Sequence, residues 1–155
     1  MFQAEARRTA WALLLTAPLL MGVTCGITDV DVEEKTLTVD LQGDQAVPPV
    51  ETSGTGQVTA RLFGNNLALQ GNFSELPSPV LAGDEAAVIF GLGEPGEAGT
   101  AINAAPASSL DGRTGSFTLE TLIDDELVEI FLNGGTYVEL RTEDHPAGEL
   151  RAQLR

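Results

Sequence analysis

Residues that commonly carry chemistry are scarce in this sequence. Its 155 residues include one cysteine, one histidine, one lysine, one tyrosine and one tryptophan. A single cysteine cannot form an internal disulfide, so a folded domain has to be held by its apolar core alone. The 43% of hydrophobic residues is enough for such a core and too much for a disordered chain. The length fits one domain and a targeting segment.

Positive charge is also scarce. The chain has 8 Lys and Arg residues against 23 Asp and Glu residues, which gives a formal net charge of −15. If residues 1–24 are removed, Arg7, Arg8 and Glu5 leave with them and the charge becomes −16. Such a surface repels DNA, RNA and anionic lipid headgroups, which argues against nucleic-acid binding. It is compatible with cations or basic partners, although a well-solvated acidic surface is the simpler interpretation.

The amino-terminal segment has the order of a secretion signal. Arg7-Arg8 forms a basic start, and Thr9 to Thr24 then runs without charge. Its strongly apolar part, Trp11 to Val23, is short for a membrane span and has the length of the hydrophobic region of a signal. Pro18 in the middle disfavours a permanent spanning helix. We therefore predict that residues 1–24 are a signal peptide and that the protein is exported.

Cys25 follows the apolar segment directly. A bacterial lipoprotein signal places the lipidated cysteine first in the mature chain, after small residues. Here Gly22-Val23-Thr24 precedes it, whereas the usual pattern has Leu three places before the cysteine and Gly, Ala or Ser directly before it. We predict lipidation of Cys25, and the alternative is ordinary cleavage that leaves a free thiol or removes it. Residues 25–35 are acidic and indicate a short tether. The predicted export implies that the domain lies in the periplasm, on the outer membrane or outside the cell.

From Thr36 onward, apolar and polar residues alternate with a period of two, which predicts β-strands. The clearest case is a hairpin in which Gln57–Phe63 and Leu67–Phe73 flank Gly64-Asn65-Asn66. Gly and Asn tolerate the positive φ angles of tight turns, so these three residues indicate the turn. Further strands are predicted at 36–41, 86–90, 101–105, 115–122, 136–141 and 149–154.

One short helix is predicted near residues 124–132. Asp124-Asp125-Glu126 suits the positive end of a helix dipole, and Leu127, Ile130 and Phe131 then form an apolar stripe. About seven or eight short strands with one helix predict an all-β domain over residues 36–155. We expect an antiparallel β-sandwich or barrel, similar to immunoglobulin domains or to copper–zinc superoxide dismutase.

Two stretches resemble the ends of the chordin-type (CHRD) domain family. Leu41–Leu62 (LQGDQAVPPVETSGTGQVTARL) contains a strand, a G-x-x-x-V-P-P-V segment, a glycine and a second strand. Gly134–Leu154 (GGTYVELRTEDHPAGELRAQL) is similar to the family's close, G-x-Y-V-x-x-H-T followed by a loop and G-E-I-R-G-Q-L. The resemblance covers nearly all of Thr36–Leu154. It implies an exported protein, since the family occurs in chordin, a secreted binder of growth factors, and in exported bacterial proteins.

The resemblance also implies histidines that this chain lacks. Family members often carry an H-x-H pair on a central strand and a histidine before the final threonine, a plausible geometry for a metal site. The corresponding residues here are Ala87-Val88-Ile89-Phe90-Gly91 and Arg141. The one remaining histidine, His145, precedes Pro146 and is interpreted as an exposed loop residue. We therefore predict no metal ligand and no cofactor.

Other candidate groups have simple structural interpretations. Glu149 and Arg151 share a strand face. They could form a catalytic pair, but an ion pair or hydrogen bonds from Arg151 to the carbonyls of a neighbouring loop are simpler. The candidate serines lack a G-x-S-x-G context, and the loop carboxylates lack the aromatic residues that stack on sugars in glycosidases. These serines and carboxylates are Ser53, Ser108, Ser109, Asp84, Glu85, Glu94 and Glu97.

These observations predict an exported, envelope-anchored binding or structural module with no catalytic residues. Its partner is an unknown protein or envelope component, it acts as a monomer, and it touches the membrane only through its signal or a lipid on Cys25. Two alternatives stay open. One is an enzyme descended from a metal-site β-sandwich, and the other is calcium-supported adhesion by the acidic loops.

Overall fold

Within the described part of the chain, nine strands form two antiparallel sheets. The computed structural model describes residues 34–82 and 86–155. The strands are β1 (Glu34–Leu41), β2 (Thr55–Phe63), β3 (Asn66–Ser74), β4 (Val88–Leu92), β5 (Thr100–Ala105), β6 (Ala107–Ser109), β7 (Gly115–Leu122), β8 (Thr136–Leu140) and β9 (Leu150–Gln153). One α-helix, α1 (Asp125–Leu132), connects β7 to β8. No helix in the described part of the chain is long and apolar enough to cross a membrane.

The two sheets pack as a sandwich and do not close into a barrel. One sheet has the strand order β1-β2-β3-β7-β6, and the other has the order β5-β4-β8-β9. Just past β1, the backbone N–H of Gln42 donates to the carbonyl oxygen of Arg151 at 3.0 Å, and the reverse bond measures 2.9 Å. This pair joins the sheets at one margin. The predicted all-β sandwich is therefore confirmed, with β6 as an extra strand because its three residues are too few to show alternation.

The predicted hairpin forms the centre of the five-stranded sheet. Phe63 and Asn66 are paired, so Gly64 and Asn65 make the two-residue turn, and Gly64 has a φ of 56°. Six apolar residues at alternating positions of β2 and β3 are buried. These residues are Val58, Ala60, Leu62, Leu67, Leu69 and Phe73. At Gly71 a side chain would collide with the ring of Phe117, so glycine lets the β7 ring pack across β3.

The predicted helix is confirmed at α1. The side chain of Asp124 accepts a hydrogen bond from the backbone N–H of Leu127 at 2.8 Å, which is the geometry of a helix N-cap. Phe131 is fully buried in the core. Lys35 lies 5.9 Å from the centroid of the Phe131 ring and donates to the carbonyl oxygen of Leu132 at 3.3 Å. The helix therefore packs its apolar side on the core near the start of β1.

Element boundaries differ from the predicted ones by one or two residues at most places. β1 begins at Glu34, inside the predicted tether 25–35, because Glu34 and Lys35 pair with Phe63 and Leu62 of β2. The strand predicted at 86–90 is central and buried as expected, but it starts at Val88. The predicted signal peptide, Cys25, most of the tether, and Asp84 and Glu85 lie outside the described residues.

Candidate functional site

The outward side of the four-stranded sheet is buried along β8 and β9. Every residue of both strands is buried, as expected for strands covered on both faces. Val138, Leu140, Leu150 and Ala152 belong to the apolar core. The alternating residues point to the opposite side, and they are Tyr137, Glu139, Arg151 and Gln153. The loop of residues 93–99, between β4 and β5, lies over this side and is called the 93–99 loop.

Arg151 ties the 93–99 loop to the sheet. It is 1% exposed. Its Nη1 donates to the carbonyl oxygen of Glu97 at 2.8 Å and its Nη2 to that of Glu94 at 3.3 Å. The guanidinium also stacks 3.8 Å from the centroid of the Tyr137 ring. Of the two structural alternatives predicted for Arg151, an ion pair or hydrogen bonds to loop carbonyls, the second is confirmed.

Tyr137 lies beneath the same loop, where glycines allow it to fit. A side chain at Gly91 or Gly99 would collide with the Tyr137 ring. Burial raises the pKa of the Tyr137 hydroxyl, and the negative charge of Glu139 raises it further. Glu139 is itself buried, and its Oε1 accepts a hydrogen bond from Nε of Arg141 at 3.1 Å. The phenol therefore stays neutral under physiological conditions.

Glu149 is fully buried and held by two hydroxyl groups. Its Oε1 accepts a hydrogen bond from Thr52 Oγ1 at 2.5 Å, and its Oε2 accepts one from Thr142 Oγ1 at 2.6 Å. The two hydroxyls in turn accept hydrogen bonds from the backbone N–H groups of Gly54 and His145. The carboxylate thus joins the loop before β2 to the loop before β9, and it does not pair with Arg151.

The remaining sequence candidates within the described residues lie in loops, apart from Ser108 and Ser109, which belong to β6. His145 is half-buried, and its carbonyl oxygen accepts the N–H of Gly148 at 3.0 Å within the loop before β9. The hydroxyls of Ser53 and Ser109 donate to the backbone carbonyls of Glu75 and Thr114. Within residues 34–82 and 86–155, no group of three or more His, Cys, Asp or Glu residues is placed to hold a metal ion. Of the sequence candidates, Glu94 and Glu97 contact Arg151, and they do so through their backbone carbonyl oxygens.

A cleft of about 790 Å³ opens beside the buried polar face. It lies where β1 and the carboxyl end of the chain meet, and we call it the seam cleft. Its walls come from β1, from the loop before β2, from the 93–99 loop and from the last three residues. Asp40, Asp44, Pro49, Pro95 and Gln153 are among its lining residues.

Sequence reasoning missed the seam cleft because its lining residues are scattered from Thr38 to Arg155. The one signal in the sequence was Val47-Pro48-Pro49-Val50. Proline cannot donate a ladder hydrogen bond, so this segment is predicted to be an extended edge or crossing segment and not a central strand. In the structure Val47 and Pro49 line the cleft and belong to no strand.

The CHRD domain model matches residues 37–154 of the chain. The match begins within β1 and ends one residue past β9, so it spans both sheets and both stretches that resemble the family. No curated protein and no solved structure gives a significant match to the chain.

Proposed function

This chain belongs to the CHRD domain family, and we propose that it is a non-catalytic binding module that is exported and held at the cell envelope. The family is not known for enzymes, and it favours a binding role. Export and anchoring rest on the sequence. The basic start, the short apolar segment and the position of Cys25 together support a lipoprotein-type signal.

One structural observation carries the non-catalytic part of the proposal. The buried ionisable groups already have partners that belong to the fold. Arg151 binds loop carbonyls, Glu149 binds two threonine hydroxyls, and Glu139 binds Arg141. A general acid, base or nucleophile has to reach a substrate within hydrogen-bond distance. These buried groups lie beneath the loops and hold them in place. They are therefore suited to supporting a binding surface that the loops form.

The partner is best sought among envelope proteins or other envelope components with positive charge. A domain that carries a formal charge of −16 after loss of residues 1–24 attracts basic surfaces and repels nucleic acids. The same charge opposes self-association, which supports a monomer. Membrane contact through a lipid on Cys25 would leave the acidic domain free to meet a partner.

Expression of the full chain in a bacterial host that exports and lipidates proteins tests the location. We expect radioactive palmitate to label the wild-type chain and the labelled protein to fractionate with the envelope. The Cys25→Ser variant should carry no label. Equal labelling of the two proteins would exclude lipidation of Cys25, and retention of both in the cytoplasm with an uncleaved amino terminus would exclude export.

A further inference from the structure

A residue that lines the seam cleft carries a buried hydrogen-bond acceptor that lacks a donor among the described residues. Gln153 lines the cleft and is 5% exposed. Its Nε2 donates to the carbonyl oxygens of Gly93 at 2.7 Å and Gly134 at 2.8 Å, which fixes Oε1 as the acceptor. This Oε1 has no hydrogen-bond partner among the described residues. Buried acceptors are nearly always paired in folded proteins, so the atom indicates a donor that comes from outside the chain.

The charge at the rim of the cleft favours a positive ligand. Asp40 and Asp44 are exposed carboxylates that line it. Asp40 is held in place, because its Oδ1 accepts a hydrogen bond from Gln57 Nε2 at 3.1 Å. Among the described residues that line the cleft, Arg155 is the one with a cationic side chain, and it is exposed. The net charge of −15 adds a long-range attraction for cations.

The walls of the cleft are suited to an aliphatic chain. Val47, Pro49 and Pro95 contribute apolar surface to its lining. Long basic side chains bury their methylene groups along such surfaces while the charged end keeps polar partners. No aromatic ring is found among the lining residues in the described ranges, which disfavours ligands that depend on stacking, such as sugars and nucleobases.

We propose that the seam cleft binds a primary alkylammonium group, either a lysine side chain of a partner protein or a free polyamine. This inference rests on the proposed binding role and names its ligand chemistry. The ammonium carries three N–H donors and no acceptor, which matches an unpaired Oε1 on Gln153 and the two carboxylates at the rim. The Oε1 atom has almost no water-accessible surface, so direct contact with the ligand requires neighbouring side chains to move. Gln45, whose Oε1 accepts the backbone N–H of Gln153 at 3.1 Å, is one such neighbour.

Isothermal titration calorimetry on the full chain tests the proposal with three defined probes. The probes are a blocked Gly-Gly-Lys-Gly-Gly peptide, the same peptide with trimethyllysine, and spermidine. We expect saturable one-to-one binding of the lysine peptide or of spermidine. Trimethyllysine keeps the charge but has no N–H on its head group, so we expect its peptide to bind about tenfold more weakly. Equal affinity for the two peptides, or no saturable binding of either amine, would overturn the proposal.

The relative affinities of the two amines identify the source of the ligand. Tighter binding of the peptide favours a lysine on a partner protein, and tighter binding of spermidine favours a free polyamine. Either result supports an alkylammonium site.

Three variants test whether the amines bind in the seam cleft. Gln153→Leu removes the acceptor and should weaken binding about tenfold. The Gln153→Leu substitution also removes two hydrogen bonds to loop carbonyls and can therefore disturb the fold. Asp44→Asn is a second variant, on the surface, that leaves the fold intact and should weaken binding about threefold. Thr136→Val is the matched control. Thr136 Oγ1 is the second buried atom without a partner among the described residues, but it does not line the cleft. Unchanged affinity in Asp44→Asn and Gln153→Leu would reject the site.

The result of the amine-binding test does not depend on whether the protein is exported or lipidated. Calorimetry needs only folded protein, whereas palmitate labelling reports export and lipidation. Amine binding without palmitate labelling would support the alkylammonium site and reject the lipid anchor on Cys25. Labelling without amine binding would support the lipid anchor and reject the alkylammonium site.

Discussion

The guanidinium of Arg151 lies 3.8 Å from the centroid of the Tyr137 ring, and both side chains are buried on the side of the sheet that faces away from the core. A stacked guanidinium leaves its edge free to donate hydrogen bonds, and here that edge meets the carbonyls of Glu94 and Glu97. One side chain therefore connects β9, β8 and the 93–99 loop. A buried cation, rather than apolar packing alone, holds this loop on the sheet.

Arg151→Met keeps the aliphatic stem of the side chain but removes the stack and both hydrogen bonds. We expect the free energy of unfolding in urea to fall by about 1–3 kcal/mol. Amide hydrogen exchange in the 93–99 loop should accelerate, because the loop loses its tie to the sheet. Arg61→Met, at an exposed position on β2, is the control and should change stability by no more than about 0.5 kcal/mol. A similar small change in Arg151→Met would show that the loop is held by other contacts.

Glu149→Gln replaces one of two buried acceptor oxygens by an amide nitrogen. One of the hydroxyls of Thr52 and Thr142 then loses its acceptor, so we expect a loss of about 1–3 kcal/mol in the free energy of unfolding. Chemical denaturation followed by circular dichroism measures the loss. Glu143→Gln, at an exposed position in the same loop, makes the same chemical change without burial. Equal stabilities of these two variants would mean that the threonine bonds contribute nothing.

Asp124→Ala removes the N-cap of α1. The backbone N–H of Leu127 loses its side-chain acceptor, and we expect a loss of about 1 kcal/mol in the free energy of unfolding. Asp124→Asn keeps a capping oxygen and should retain most of the stability. If thermal denaturation gave the same loss for Asn as for Ala, the effect would come from charge at the helix start rather than from capping.

Tyr137 is the one tyrosine of the chain, so the phenolate absorbance reports it alone. Burial and the charge of Glu139 raise its pKa in the folded protein above the ordinary value of about 10. A raised pKa means that the folded state favours the neutral phenol. Its contribution to stability is therefore complete below about pH 10 and is lost as the pH rises through the pKa of the folded state. We expect the absorbance change at higher pH in the folded chain than in the denatured chain. Coincident titrations would show that the ring is solvated.

Local patterns in the sequence were enough to predict the hairpin and the helix. The turn at Gly64 and Asn65 and the strands beside it are close in the sequence, and so are Asp124 and the apolar residues of α1. Each of these elements is determined by residues within a few positions of one another. Hydrogen bonds from Arg151 to loop carbonyls were one of two predicted alternatives, beside an ion pair, and the sequence did not indicate which loop supplies the carbonyls.

The polar sites were not predictable because their members are far apart in the sequence. Thr52 and Glu149 are separated by 97 positions, and Gln45 and Gln153 by 108. Nothing near Thr52 marks it as the partner of a buried carboxylate. The seam cleft depends in the same way on how the loop before β2 meets the end of the chain. Only the assembled sandwich brings those segments together.

The backbone hydrogen bonds between Gln42 and Arg151 make completion of the fold depend on residues near the end of the chain, which are synthesised last. The first strand and the last strand of the domain meet at this pair, so the margin between the sheets stays open until residues 150–153 have left the ribosome. Contacts between such distant residues slow folding, because a long loop must close before they form. A nascent chain can assemble β1, β2 and β3 early, but it cannot seal the domain. A chain that lacks its last few residues is therefore expected to remain incompletely folded and open to proteases.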